Sequence, residues 1–168
     1  PIALTRPYVL AASTHEDEEQ QLAELWLTNN FNNSLLVIVP RHPIRLASIL
    51  KQLQRLTPHI AVRSRNEPVT DTTRIYLADT FGELSGFMRG AQLVFMGGSL
   101  IPHGGQNIIE PARLGKAVLF GPHMHNFTDE AKLLVDNQAA AQVATTKELA
   151  LEFQRLLADP ASAAAMGD

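Results

Sequence analysis

The chain has 168 residues, no cysteine and a formal net charge of −3. That length fits one domain, large enough to fold without a disulfide or a structural metal, and the lack of thiols excludes disulfides, iron–sulfur clusters and cysteine-ligated zinc. The slight acidity argues against a duplex nucleic-acid binder, and no apolar run approaches the ~20 residues that cross a bilayer.

In chain order, Pro1 opens the sequence with no basic-then-apolar leader, which reads as a domain excised from a longer protein. Tyr8–Ala12 has the character of a buried strand. Glu16–Asn29 is a helix with Leu22, Leu25 and Trp26 on one face and acidic residues in its first turn, at the positive end of its dipole. Leu35–Val39 is an aliphatic strand stopped by Pro40, and Pro43 opens a helix through Leu53. His59–Val62 and Ile75–Ala78 read as strands joined by the polar loop Ser64–Thr73. Glu83–Arg89 is a short helix, Leu93–Met96 a strand, Ile108–Leu114 a helix and Ala117–Phe120 a strand. Thr128–Asp136 (helix), Ala141–Val143 (strand) and Lys147–Leu157 (helix) follow, and the Ala-rich tail after Pro160 is expected to fray. Aliphatic strands alternating with helices predict an α/β domain, a Rossmann-like parallel sheet of about six strands with helices on both faces.

In such sheets ligands bind beyond the carboxyl ends of the strands. The segments found there are Ser13-Thr14-His15-Glu16, Arg41-His42, Asp79–Glu83, Gly97-Gly98-Ser99 and Gly121-Pro122-His123. Gly97 and Gly98 permit a sharp turn and close approach of a ligand to backbone. Gly104 and Gly105 lead to a helix start whose N–H groups favour a phosphate, and Glu110, one turn in, suits ribose hydroxyls. Two ordinary Gly-rich connections would read the same way. The segment matches neither G-x-G-x-x-G nor the Walker pattern, which disfavours nicotinamide and P-loop enzymes. Arg41 could neutralise a phosphate by forked, charge-assisted bonding, or Arg41-His42 could be a surface basic pair. Ser13–Glu19 reads as a helix N-cap or as a cleft wall, and the two are compatible. No histidine spacing suggests a metal site, and no G-x-S-x-G elbow suggests a serine hydrolase.

Six segments then occur in a telling order: Ser13–Glu16, Val39–His42, Asp79–Leu84, Phe95–Leu100, Gly104–Pro111 and Gly121–His123. From about Arg6 to Leu157, this set resembles the C-terminal domain of 3-deoxy-D-manno-octulosonic acid (Kdo) transferases, which add Kdo to lipid A precursors. The resemblance implies one half of a GT-B fold: a single domain over 1–168 that binds CMP-Kdo without a metal ion or other cofactor. An N-terminal domain, absent from this chain, would hold the acceptor lipid at the cytoplasmic face of the bacterial inner membrane. It would also supply the acidic base, so no catalytic residue is expected here and the chain alone should be inactive. The resemblance further implies that Arg41, beside His42, offsets charge on the departing CMP phosphate. Phe81, Gly82, Glu83 and Leu84 should meet the cytosine. Gly97, Gly98, Ser99, Gly105 and Asn107 should line the phosphate or sugar, Glu110 the ribose, and Ser13, Thr14 and His15 the Kdo moiety. Gln106 stands where a histidine is frequent and is given no role, and Asp17 replaces a glycine. Other readings are a UDP-sugar GT-B transferase or epimerase domain, or a non-catalytic Rossmann-like binding module.

Overall fold

A computed structural model describes residues 4–31, 33–106 and 108–167. Its strands are β1 (Tyr8–Thr14), β2 (Leu35–Pro40), β3 (Ile60–Val62), β4 (Ile75–Leu77), β5 (Leu93–Met96), β6 (Val118–Phe120) and β7 (Ala140–Gln142). The helices are α1 (Glu18–Thr28), α2 (Leu46–Gln54), α3 (Leu84–Gly90), α4 (Ile109–Arg113), α5 (Thr128–Asp136), α6 (Thr146–Ala158) and α7 (Pro160–Gly167). All strand pairs are parallel, in the order β3-β4-β2-β1-β5-β6-β7. The sheet carries seven strands, one at each segment read as a strand in the sequence, the last being a three-residue edge.

Alternation along the strands divides the core. Val9, Ala11, Leu36 and Ile38 face α1, α2 and α6, whereas Leu10, Ala12, Val37 and Val39 face α3 and α5. Trp26 stacks on Phe31 at 4.3 Å between ring centroids, and Phe153 meets both edge-on, tying α1 to α6. β1 is buried along its whole length because sheet and helices cover it on every side.

Two expectations need correction. The helix expected from Pro43 begins as a 3-10 turn at Pro43–Arg45 and becomes α-helical only at Leu46. The tail after Pro160 does not fray: Asp159 accepts from both the backbone N–H and the hydroxyl of Ser162, and alanine is the best helix former. Ala163 and Met166 then pack on the core.

Candidate functional site

Chain order along the sheet reverses at β1, with β2 on one side and β5 on the other. The crevice beyond their carboxyl ends is the topological switch point of the fold. Three loops meet there. β1 ends in a register shift between Ala12 and Thr14, with Ser13 at φ 54°. β5 ends in Gly97, where a Cβ would lie 2.5 Å from the Ser13 carbonyl oxygen and 2.7 Å from Thr14 Cα, so only glycine lets the two chains approach this closely. Arg41, after β2, donates its backbone N–H to the Thr14 carbonyl at 2.8 Å.

The backbone N–H groups of the glycine turn are not open to a phosphate. Glu18, fully buried at the start of α1, fills them: Oε1 accepts from the N–H of Gly98 (2.6 Å) and of His15 (2.9 Å). Its Oε2 accepts from Ser99 and Leu100, both at 3.0 Å. Burial pushes the Glu18 carboxyl up and these four N–H groups oppose that rise. The Ser99 hydroxyl is spent inside as well, donating to the Met96 carbonyl and accepting from Gly121 N–H. The N–H groups of Gly98 and Ser99 and the Ser99 hydroxyl are therefore already paired within the protein. Gly105, at φ 83°, donates its backbone N–H to the Gly98 carbonyl at 2.8 Å. Asn107 lies outside the described residues.

Side chains occupy the mouth of the crevice instead. The His15 ring lies 4.0 Å from that of His103 and 5.7 Å from that of His42. Desolvation, then the neighbouring His103, His42, Arg45 and Arg41, depress the His15 pKa to about 4, so its imidazole is neutral near pH 7. Among the described residues the exposed Arg41 side chain has no hydrogen-bond or ion-pair partner. Two buried polar atoms at this point also lack partners, Thr14 Oγ1 and His15 Nε2. A ligand oxygen seated here would satisfy them. Gln106, given no role from sequence, donates to the Ser13 carbonyl and ties the loop after β5 to that after β1.

The loop after β4 forms the second half of the edge. Phe81 is 81% exposed and Gly82, at φ 77°, has nothing near its missing Cβ, so ring and backbone face solvent. Glu83 was expected to bond a base; both its oxygens are held by Arg63, at 2.5 and 2.6 Å, and one also accepts from Thr80. Arg63 and Thr80 hold its carboxyl down at about 2. This fork-to-carboxylate pair occupies the Glu83 side chain, while Phe81 is exposed and Leu84 half-buried. Exposed Glu110 accepts from the Ser85 hydroxyl, linking the first turns of α4 and α3. Arg41 follows β2 and Gly98 follows β5, while Glu110 in α4 is tied to the start of α3.

Among the described residues no group of three or more His, Asp or Glu could hold a metal ion, and no helix is long and apolar enough to cross a membrane. A concavity of about 490 Å³ runs between α1 and α6, with Gln21, Leu25 and Ala150 in its wall.

No family model matches the chain. It is 33% identical over 154 residues to a 3-deoxy-D-manno-octulosonic acid transferase of Rickettsia felis, covering 90% of this chain and 33% of that protein. It is 34% identical over 145 residues to the Haemophilus influenzae transferase of the same name, covering 85% of this chain and 34% of that one. The chain thus spans about a third of the length of these curated relatives. Among solved structures, the C-terminal CMP-Kdo binding domain of WaaA from Acinetobacter baumannii superposes with a TM-score of 0.88 at 32% identity, over 96% of this chain and 87% of that domain. Sequence and fold agree: the chain belongs to the 3-deoxy-D-manno-octulosonic acid transferase family, with the architecture of its C-terminal domain.

Proposed function

We propose that this chain binds CMP-Kdo across the carboxyl edge of its sheet, as the donor half of a GT-B transferase acting on a lipid A precursor. The observation that carries the reading is the meeting of Arg41, whose side chain has no hydrogen-bond or ion-pair partner among the described residues, with the rings of His15, His42 and His103 at the β1/β5 switch point. An anionic sugar nucleotide suits that edge. Arg41 would bond the phosphate, whereas Phe81 and the backbone at Gly82 would receive the cytosine. Glu110 would turn from Ser85 to the ribose, and the Ser13–His15 loop would face the Kdo moiety.

In the reaction an acceptor hydroxyl oxygen attacks the anomeric carbon of Kdo, with inversion. The bond to the phosphate oxygen breaks, its electron pair leaves with CMP, and the hydroxyl proton passes to a carboxylate of the other domain. The guanidinium of Arg41 stabilises the charge that collects on the departing phosphate, a role that elsewhere falls to a metal ion. The acceptor and base belong to the N-terminal domain of the longer protein, working at the cytoplasmic face of the inner membrane, and this chain alone transfers nothing.

Calorimetric titration with CMP tests the reading. CMP should bind saturably in the presence of EDTA and more tightly than UDP. Arg41→Ala should weaken it by about 1.5–3 kcal/mol, roughly ten- to a hundredfold. No saturable binding of CMP, or a preference for UDP, overturns it.

A further inference from the structure

We infer that Glu18 is a positioning residue of the donor site, an internal anion that locks the loops after β1 and β5 together and thereby sets the His15 ring. This rests on the donor-site reading above. Switch-point amides commonly receive a ligand's phosphate; here the carboxylate of Glu18 takes that place permanently. Gly98, at φ 72°, turns the backbone so that successive N–H groups converge on one anion, the geometry of a backbone nest.

One atom does the coupling. Glu18 Oε1 accepts from His15 in one loop and Gly98 in the other, while Oε2 holds Ser99 and Leu100. The loop after β5 also carries His103, whose ring stacks on His15, and Gln106, which bonds the Ser13 carbonyl. Without the carboxylate four N–H groups, those of Gly98 and Ser99 buried and those of His15 and Leu100 part-buried, lose their acceptor, and the two histidine rings lose their common frame. The donor phosphate must then be bound by side chains, because the amides are taken.

The test uses this chain with Glu18→Gln and Glu18→Ala, read by thermal unfolding, by NMR of the His15 and His103 rings, and by CMP titration. Glu18→Gln keeps an oxygen acceptor and nearly the same volume, so it should unfold cooperatively. Its His15 ring signals should shift, and CMP affinity should fall by about tenfold. In Glu18→Ala the loss should be larger, and added formate, entering the nest as a free carboxylate, should restore part of the affinity and move the ring signals back. Wild-type affinity and ring signals in a folded variant overturn the inference. So does failure of both variants to fold cooperatively, which assigns Glu18 to stability alone. If the wild-type chain itself does not bind CMP, the donor-site reading fails separately, while the ring signals still report whether Glu18 sets His15.

Discussion

The His15 imidazole is squeezed between a helix start, two other histidine rings and two guanidinium groups. An ordinary histidine titrates near 6.5, whereas this one is depressed to about 4 by desolvation first and by its cationic neighbours second. Between those values the unfolded chain holds more protons at this position than the folded one. The contribution is therefore complete above pH 6.5 and declines as pH falls toward 4. Denaturant midpoints measured from pH 7 to pH 4 should show this loss, and His15→Asn should remove it. A bound anion acts in the opposite sense, favouring imidazolium, so CMP should tighten in wild type relative to His15→Asn as pH falls through the same window.

At the scale of elements, the start of α1 shows a local conflict resolved by distant contacts. Asp17 sits at φ 75°, a conformation natural to glycine, and makes no side-chain cap to the helix backbone; its carboxylate instead accepts from the Gln21 side chain. The turn lets Glu18 enter the core and reach the Gly98 N–H. Asp17→Gly should relieve left-handed strain of about 1–2 kcal/mol against a glycine entropy cost of about 0.5–1 kcal/mol. A net gain of up to about 1.5 kcal/mol is expected from denaturant titration of the two proteins. By contrast α6 begins conventionally, with the Thr145 hydroxyl accepting from Glu148 N–H and the Glu148 carboxylate accepting from Ala144 N–H.

For the molecule as a whole, periodicity and composition expose the layers but not the polar wiring between them. Leu35–Val39 and Leu93–Met96 declare themselves as buried parallel strands because every residue is apolar, and Pro40 marks where the first one ends. The edge where ligands gather follows from that topology alone. The partners of Glu18, Ser99 and Glu83 do not, since they lie 80, 22 and 20 residues away along the chain for the bonds to Gly98, Gly121 and Arg63. A buried carboxylate in a helix's first turn looks in sequence like a solvated dipole partner; its consumption of the glycine amides emerges only in three dimensions. The position of His103 near a strand end is visible in the sequence, but its ring contact with His15 at 4.0 Å is not. The tail after Pro160 was misjudged because its cap, Asp159, stands outside the alanine run.

β1 has a further consequence as the central strand, paired on both sides and with helices over both faces. Its amides at Val9–Ala12 should exchange with deuterium only when the entire domain opens, at a rate tracking global stability across denaturant. The loops that leave the strands should exchange by smaller, local openings. A nucleotide seated at this edge would rest on the slowest-exchanging backbone of the protein, so binding should slow exchange around Arg41 and Phe81 while leaving Val9–Ala12 tied to the global unfolding free energy.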